Sequence, residues 1–303
     1  MTAGAVVTVG SFDGLHLGHR AVLAEITGRA KRAGLRSLVV TFSPHPLEIV
    51  NPPVAPPRLT LDDERRELFA QTDVDAVAFL PFTRTLSQYP PEAFIRLLLE
   101  RFELRELVIG HDHGFGRGRT GGERLLVSLG QQLGFSVDVV AAVQVEGREV
   151  SSTLIRRAIA GGDLATAEEH LGRRYAMNGR VVRGVGRGRT LGFPTINVEL
   201  ADPRKLLPPD GVYAVFVEWA TASAGGMMHM GARPTFGDTQ RTLEIHLFGN
   251  GPDLYGQEVK VSWVARLREV RSFSGAAALR DQLARDQEAA LAALAVPPRR
   301  PSS

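Results

Sequence analysis

The residues best placed to do chemistry sit in one ten-residue stretch, Gly10-Ser11-Phe12-Asp13-Gly14-Leu15-His16-Leu17-Gly18-His19. An apolar run at residues 5–10 leads into it, and Ala21, Val22, Leu23, Ile26 and Ala30 follow at helical spacing. The motif therefore falls where a strand ends and a helix begins. Gly10 and Gly14 bracket a tight turn whose backbone N–H groups can approach a ligand closely. The helix amino terminus adds partial positive charge, and His16 and His19, three apart, face one turn of it. Two imidazoles at such a terminus suit a polyphosphate whose charge grows during attack at phosphorus. Zinc would need further ligands, and none lies nearby in the sequence.

Val150-Ser151-Ser152-Thr153-Leu154-Ile155-Arg156 is a second candidate. Hydroxyl residues directly before an amphipathic helix are ordinary N-caps. The same geometry, with Arg156 one turn in, also makes an anion site. The third candidate is Arg183-Gly184-Val185-Gly186-Arg187-Gly188-Arg189-Thr190-Leu191-Gly192-Phe193-Pro194-Thr195-Ile196-Asn197. Its glycines expose backbone between strands; an RNA-binding segment would read similarly, but Phe193-Pro194-Thr195 argues against a disordered tract. Thr195 and Asn197 are two apart, so on an extended strand they share a side. A hydroxyl and an amide oxygen there suit hydrated Mg²⁺, which accepts few protein ligands.

What is missing narrows the chemistry. The chain has no cysteine, which excludes disulfides, thiolate zinc sites, iron–sulfur clusters and a cysteine nucleophile. Only Lys31, Lys205 and Lys260 among the 36 basic residues are lysines, and none precedes Ser or Thr. The lysine-bearing phosphate loop is therefore absent, and ATP must be held by another route. Gly116-x-Gly118-x-x-Gly121 spells the dinucleotide fingerprint, but away from the first β-α turn and crowded by arginines. A net charge of +3 is too small to argue for nucleic acid. The first 19 residues carry no Lys or Arg, and no apolar run approaches the ~20 residues of a membrane span. The expectation is a cytoplasmic protein with neither a nucleic-acid nor a membrane partner.

The elements that must position these residues fall into two sets, as 303 residues lead one to expect. Strand candidates at 5–10, 37–42, 76–80, 106–110 and 136–140 alternate with helical stretches at 18–32, 62–71, 91–101 and 123–133. That alternation predicts parallel β-α-β crossovers in an α/β sheet. Two short helices are expected at 153–161 and 163–171. Beyond Arg173 the period changes. Apolar residues alternate or run short at 181–182, 212–219, 227–230, 243–247 and 259–264, punctuated by Gly and Pro. This predicts an antiparallel β-barrel, closed by a helix over residues 276–294. The boundary is placed near Arg174, giving domains 1–173 and 174–303.

The histidine motif, Ser151-Ser152-Thr153-x-x-Arg156 and Thr41-Phe42-Ser43-Pro44-His45-Pro46 together resemble the nucleotidyltransferase module of bacterial bifunctional riboflavin kinase/FAD synthetases. The resemblance implies a Rossmann-like FMN adenylyltransferase that uses Mg-ATP. His16 and His19 would contact the triphosphate, with Ser152, Thr153 and Arg156 on its phosphates. Gly10, Phe12, Asp13 and Gly14 would shape the nucleotide pocket. Residues 109–116 are similar to the family's flavin-side loop: Asp112 and Phe115 match, as flavin-binding residues, and His113 replaces an aromatic.

Residues 183–197 resemble the riboflavin kinase signature, with Ile196 in place of the usual alanine. The resemblance assigns Gly184, Gly188, Thr195 and Asn197 to ATP, and Thr195 and Asn197 to Mg²⁺. It places Glu244, within Leu243-Glu244-Ile245-His246-Leu247, beside the riboflavin 5′-hydroxyl as the base. By itself, Glu244 reads as an exposed residue on an alternating strand. Phe248-Gly249-Asn250 departs from the family's usual continuation. The likeness covers residues 5–290 and implies two activities: riboflavin and ATP to FMN, then FMN and ATP to FAD and pyrophosphate. Two alternatives stay open, a riboflavin kinase with a degenerate adenylyltransferase domain and a non-catalytic flavin-binding regulator. The intact His16, His19, Thr195, Asn197 and Glu244 speak against the regulator.

Overall fold

The computed structural model describes residues 4–110, 122–184, 187–220, 222–233, 238–249 and 252–296. The chain divides into two compact units, residues 1–152 and 153–303. In the first, strands and helices alternate as β1 (Ala5–Val9), α1 (Leu17–Ala33), β2 (Arg36–Ser43), α2 (Pro46–Val50), α3 (Asp62–Ala70) and β3 (Ala76–Pro81). There follow α4 (Arg84–Ser87), α5 (Pro91–Phe102), β4 (Leu104–Gly110), α6 (Glu123–Leu133), β5 (Ser136–Val140) and a small hairpin, β6 (Gln144–Val145) with β7 (Arg148–Glu149).

The five long strands form one parallel sheet in the order β3-β2-β1-β4-β5. Both of its faces are covered, so its strands are apolar on both sides. On β1, Ala5, Val7 and Val9 join Phe94, Ile95 and Leu98 of α5 and Leu126 and Leu129 of α6 in one core. Val6, between them, joins Val22, Leu23 and Ile26 of α1 and Leu68 and Phe69 of α3 in the other. Gly34, at φ 65, ends α1 in the left-handed conformation that glycine adopts without strain.

The second unit begins with α7 (Ser152–Gly161), whose first residue is the last of the first unit, and α8 (Leu164–Leu171). Then come β8 (Ala176–Val182), α9 (Arg187–Thr190), β9 (Ile196–Leu200), β10 (Gly211–Trp219), β11 (Ala222–Arg233), β12 (Asp238–Leu247), β13 (Glu258–Arg268) and α10 (Ala276–Leu294). The strands close a barrel in the order β10-β11-β12-β9-β8-β13, with β13 returning to β10. Closure leaves no sheet edge. Met177, Tyr213, Met228, Met230, Ile245 and Trp263 are all buried in this unit. Outside, α10 packs across β10, β11 and β13 and is fastened at Asp286, which takes Arg268 Nε at 2.9 Å and Gln282 Nε2 at 2.7 Å.

The hydrophobic period changes at the first barrel strand, but α8 packs on β13 and buries Leu164, Ala167 and Leu171. A fragment 174–303 lacks that helix. It is expected to be less stable than a fragment 153–303 by about 3–6 kcal/mol, because it loses the burial that Leu164 and Leu171 contribute at ~1.5–3 kcal/mol each. Urea unfolding of the two fragments measures this, and equal stability would detach α8 from the barrel.

Candidate active site

The strand order reverses at β1, which has β2 on one side and β4 on the other. Parallel sheets open a crevice beyond the strand ends at such a point, and the histidine motif occupies that end of β1. Its turn is conformationally strained. Gly14 has φ 84, and the non-glycine residues Phe12 and Leu15 have φ 49 and 37, at about 1–3 kcal/mol each. Burial opposes that cost, since Phe12 is 3% and Leu15 0% exposed in the core under α1 and α3.

Asp13 closes the turn from inside. Its Oδ2 accepts the Leu59 N–H at 3.0 Å, and its Oδ1 accepts the Thr60 N–H at 2.8 Å and hydroxyl at 3.0 Å. The Gly14 N–H donates to the same hydroxyl at 2.9 Å, and Ser152 Oγ donates to the Asp13 carbonyl at 3.0 Å. Arg65 braces the other side: it donates to the Ser11 carbonyl at 2.6 Å, the Phe42 carbonyl at 2.8 Å and Asp62 at 2.8 Å. Burial pushes the Asp62 carboxyl up, but the Ser43 hydroxyl and the Arg65 and Arg58 guanidiniums outweigh it and hold the group below the usual carboxylate range. Asp13→Ala would leave two buried N–H groups without their acceptor, so a loss of roughly 2–4 kcal/mol is expected. Urea denaturation of the whole chain tests this, and a loss below about 1 kcal/mol would show that these bonds do not hold the turn.

His16 is the N-cap of α1, its Nδ1 accepting the His19 N–H at 3.3 Å. A neutral His16 in that role carries its proton on Nε2. The two imidazoles stack at 3.6 Å between centroids and 15° between planes, and the Phe12 ring lies 5.0 Å from His19. A Cβ on Gly18 would stand 3.2 Å from the His16 ring, so the glycine makes room for it. The pair is thus preset at a helix amino terminus. Thr153 and Arg156 stand in the first two turns of α7, Thr153 exposed and Arg156 half-buried. Asp112, Phe115 and His113, with the Gly116-x-Gly118-x-x-Gly121 segment, lie outside the described residues.

In the barrel, Glu244 of β12 stands in register with Asn197 of β9 on one side and His229 of β11 on the other. Thr195 Oγ1 donates to its Oε2 at 3.4 Å, and Thr242 Oγ1 to its Oε1 at 3.2 Å. The carboxylate, the two hydroxyls and the amide are therefore one oxygen-rich group. A Cβ on Gly184 would fall inside the Asn197 amide, and one on Gly188 would meet the Phe193 carbonyl and lie 3.3 Å from Thr195 Oγ1. These glycines let the backbone close over the group. Sequence reading did not single out His229, Thr242 or the Asp13 partners Leu59 and Thr60; a histidine opposite Glu244 becomes visible only when β11 and β12 are paired. Among the described residues no three His, Cys, Asp or Glu side chains are grouped to hold a metal ion.

A parallel sheet with a histidine turn at its switch point, and a closed barrel with a glutamate set among threonine and asparagine, define the two halves of a flavin-nucleotide synthase. Residues 1–154 match the FAD synthetase family model and residues 171–294 the riboflavin kinase model. The chain belongs to the bifunctional riboflavin kinase/FMN adenylyltransferase family. It is 37% identical over 286 residues to the Escherichia coli K12 protein of that name, covering 94% of this chain and 91% of the relative. The Pseudomonas fluorescens protein of the same name is 38% identical over 296 residues, with 97% and 94% covered. A solved structure described as a macrolide-efflux protein from Streptococcus pneumoniae superposes with TM-score 0.86 at 30% identity, covering 96% of this chain and 95% of that one. No helix among the described residues is long and apolar enough to cross a membrane.

Proposed function

We propose that the chain makes FAD from riboflavin in two steps, phosphorylation to FMN in the barrel half and adenylylation of FMN in the α/β half, in the cytoplasm. The observation that carries this reading is that both family matches fall on folded units with their polar constellations intact. An efflux role comes only from the description of the Streptococcus structure and finds no support in either match. We assign adenylyl transfer to residues 1–173 and phosphoryl transfer to 174–303.

In adenylyl transfer, an FMN phosphate oxygen attacks the α-phosphorus of ATP and pyrophosphate leaves. No covalent enzyme intermediate is needed; the reaction wants alignment and stabilisation of developing charge. His16 and His19 at the α1 terminus supply donors to the triphosphate, and Ser152, Thr153 and Arg156 bind nucleotide phosphates. Gly10, Phe12, Asp13 and Gly14 act by setting the turn, because the Asp13 oxygens are already engaged by Leu59 and Thr60. Asp112 and Phe115 contact the flavin.

In phosphoryl transfer, Glu244 takes the proton of the riboflavin 5′-hydroxyl as that oxygen attacks the γ-phosphorus and ADP leaves. Gly184 and Gly188 let the loop backbone approach the ATP phosphates. Mg²⁺ fits the donors present, since the Thr195 hydroxyl and Asn197 carbonyl are hard oxygen ligands, few in number. When bound there it neutralises phosphate charge. The test is incubation of purified protein with riboflavin, ATP and Mg²⁺, with chromatography of the products. FAD supports two activities, FMN alone a degenerate first half, and neither product a flavin-binding regulator.

A further inference from the structure

One side chain beside the kinase group is not used by that mechanism. His246 follows Glu244 by two residues on β12, so the two share a face. Its Nδ1 lies 2.8 Å from the Pro194 carbonyl oxygen. A carbonyl only accepts, so Nδ1 carries the proton and donates. The imidazole meets the Phe193 ring edge-on at 5.2 Å and 71°, and the Phe248 ring at 5.9 Å and 70°. His246 therefore touches the Phe193-Pro194-Thr195 segment through a directed bond and an aromatic wall.

The position of this bond gives it meaning. The β9–β12 ladder pairs Asn197 with Glu244 and Ile196 with Ile245, and goes no further. Proline has no N–H, so its carbonyl is the only backbone group by which Pro194 can be held. The His246 ring takes over where the ladder stops. Thr195, the next residue, has its hydroxyl 3.4 Å from the Glu244 carboxylate. On the far side the segment is tied through the Phe193 N–H to the Gly188 carbonyl at 2.9 Å. Releasing the His246 end would free the segment to swing about that tie, carrying Thr195 away from Glu244.

We propose that His246 is a positioning residue of the kinase half, whose Nδ1–H to Pro194 bond sets the Thr195 hydroxyl against Glu244 for Mg-nucleotide binding. The proposal rests on the kinase reading above, and the experiment separates the two. The wild-type rate of riboflavin phosphorylation tests the reading, whereas only the ratio of variant to wild type tests His246.

The whole chain is prepared as wild type, His246→Ala and His246→Asn. Asparagine places an amide N–H at nearly the reach of Nδ1 but has no ring. Calorimetry gives the Kd for Mg-ADP, steady-state kinetics give KM for ATP and kcat with riboflavin, and FMN adenylylation serves as the internal control. His246→Ala is expected to weaken Mg-ADP binding and raise KM for ATP about tenfold, the scale of one positioned hydrogen bond. His246→Asn should recover to within about threefold, and adenylylation should be unchanged in both. Mg-ADP binding within twofold of wild type in His246→Ala would overturn the proposal. So would His246→Asn performing as poorly as His246→Ala while both melt as wild type, because the aromatic wall and not the bond would then hold the segment. If His246→Ala does not fold, His246→Asn and His246→Phe decide: the proposal requires asparagine to bind Mg-ADP more tightly than phenylalanine, and the reverse order overturns it.

Discussion

Replacing His16 and His19 together by alanine is expected to slow conversion of FMN to FAD by roughly 10²–10³-fold, the range seen when a preorganised charge-stabilising donor is lost. Riboflavin phosphorylation should proceed at the wild-type rate, because both histidines belong to the first unit. His16 also caps α1 through its Nδ1, so alanine there removes a cap worth about 1 kcal/mol as well as the imidazole. A companion variant, His16→Asn, keeps an N-cap acceptor and removes only the ring. If His16→Asn is as slow as His16→Ala, the ring and not the cap accounts for the loss. Near wild-type FAD formation in the double variant would remove the stacked pair from the triphosphate.

Glu244→Gln should separate the activities in the other direction. Phosphorylation of riboflavin is expected to fall by roughly 10²–10⁴-fold, the value of general-base help. FMN supplied to the same preparation should still become FAD. Glutamine keeps the shape and one acceptor oxygen, and the Thr195 and Thr242 hydroxyls that now donate to the carboxylate keep a partner. Riboflavin and Mg-ADP should therefore bind as in wild type. Two turnovers of one preparation, from riboflavin and from FMN, make the measurement. A variant that phosphorylates riboflavin normally would move the base to another acid. Asp210 or Asp253 would then be the next candidate.

The first unit was readable because its determinants are local. Apolar runs and helical spacing recur along the chain, and parallel strands buried on both faces leave nearly continuous hydrophobic segments, so β1, α1 and α6 fall within a residue or two of expectation. The barrel was readable as a class but not as a strand order. Pairing β12 with β9, and β13 with both β8 and β10, depends on contacts between distant segments that no local period encodes. The same distinction holds at the sites. His16 and His19 announce themselves by spacing and flanking glycines. Asp13 looks like a ligand in the sequence, and only its partners 46 and 47 residues away give it an internal role. Residues 187–190 are rich in glycine and arginine and read as a loop, yet they form the single turn α9. That turn rests on the close approach of Gly188 to Phe193, which sequence spacing alone does not show.

Met177, Met227, Met228 and Met230 are four of the five methionines in a chain without cysteine, and each is at most 4% exposed inside the barrel unit. Oxidation of sulfur by peroxide needs access, so it must wait until the barrel opens. A sulfoxide formed at that moment puts a polar group at a buried position, and reclosing the strands around it then carries the cost of desolvating that group. Peroxide thus acts on this half of the molecule as a one-way ratchet. The rate at which sulfoxide accumulates, read by mass spectrometry, counts how often the barrel breathes, and the α/β half, whose only sulfur is Met1, is left as the clock's silent frame.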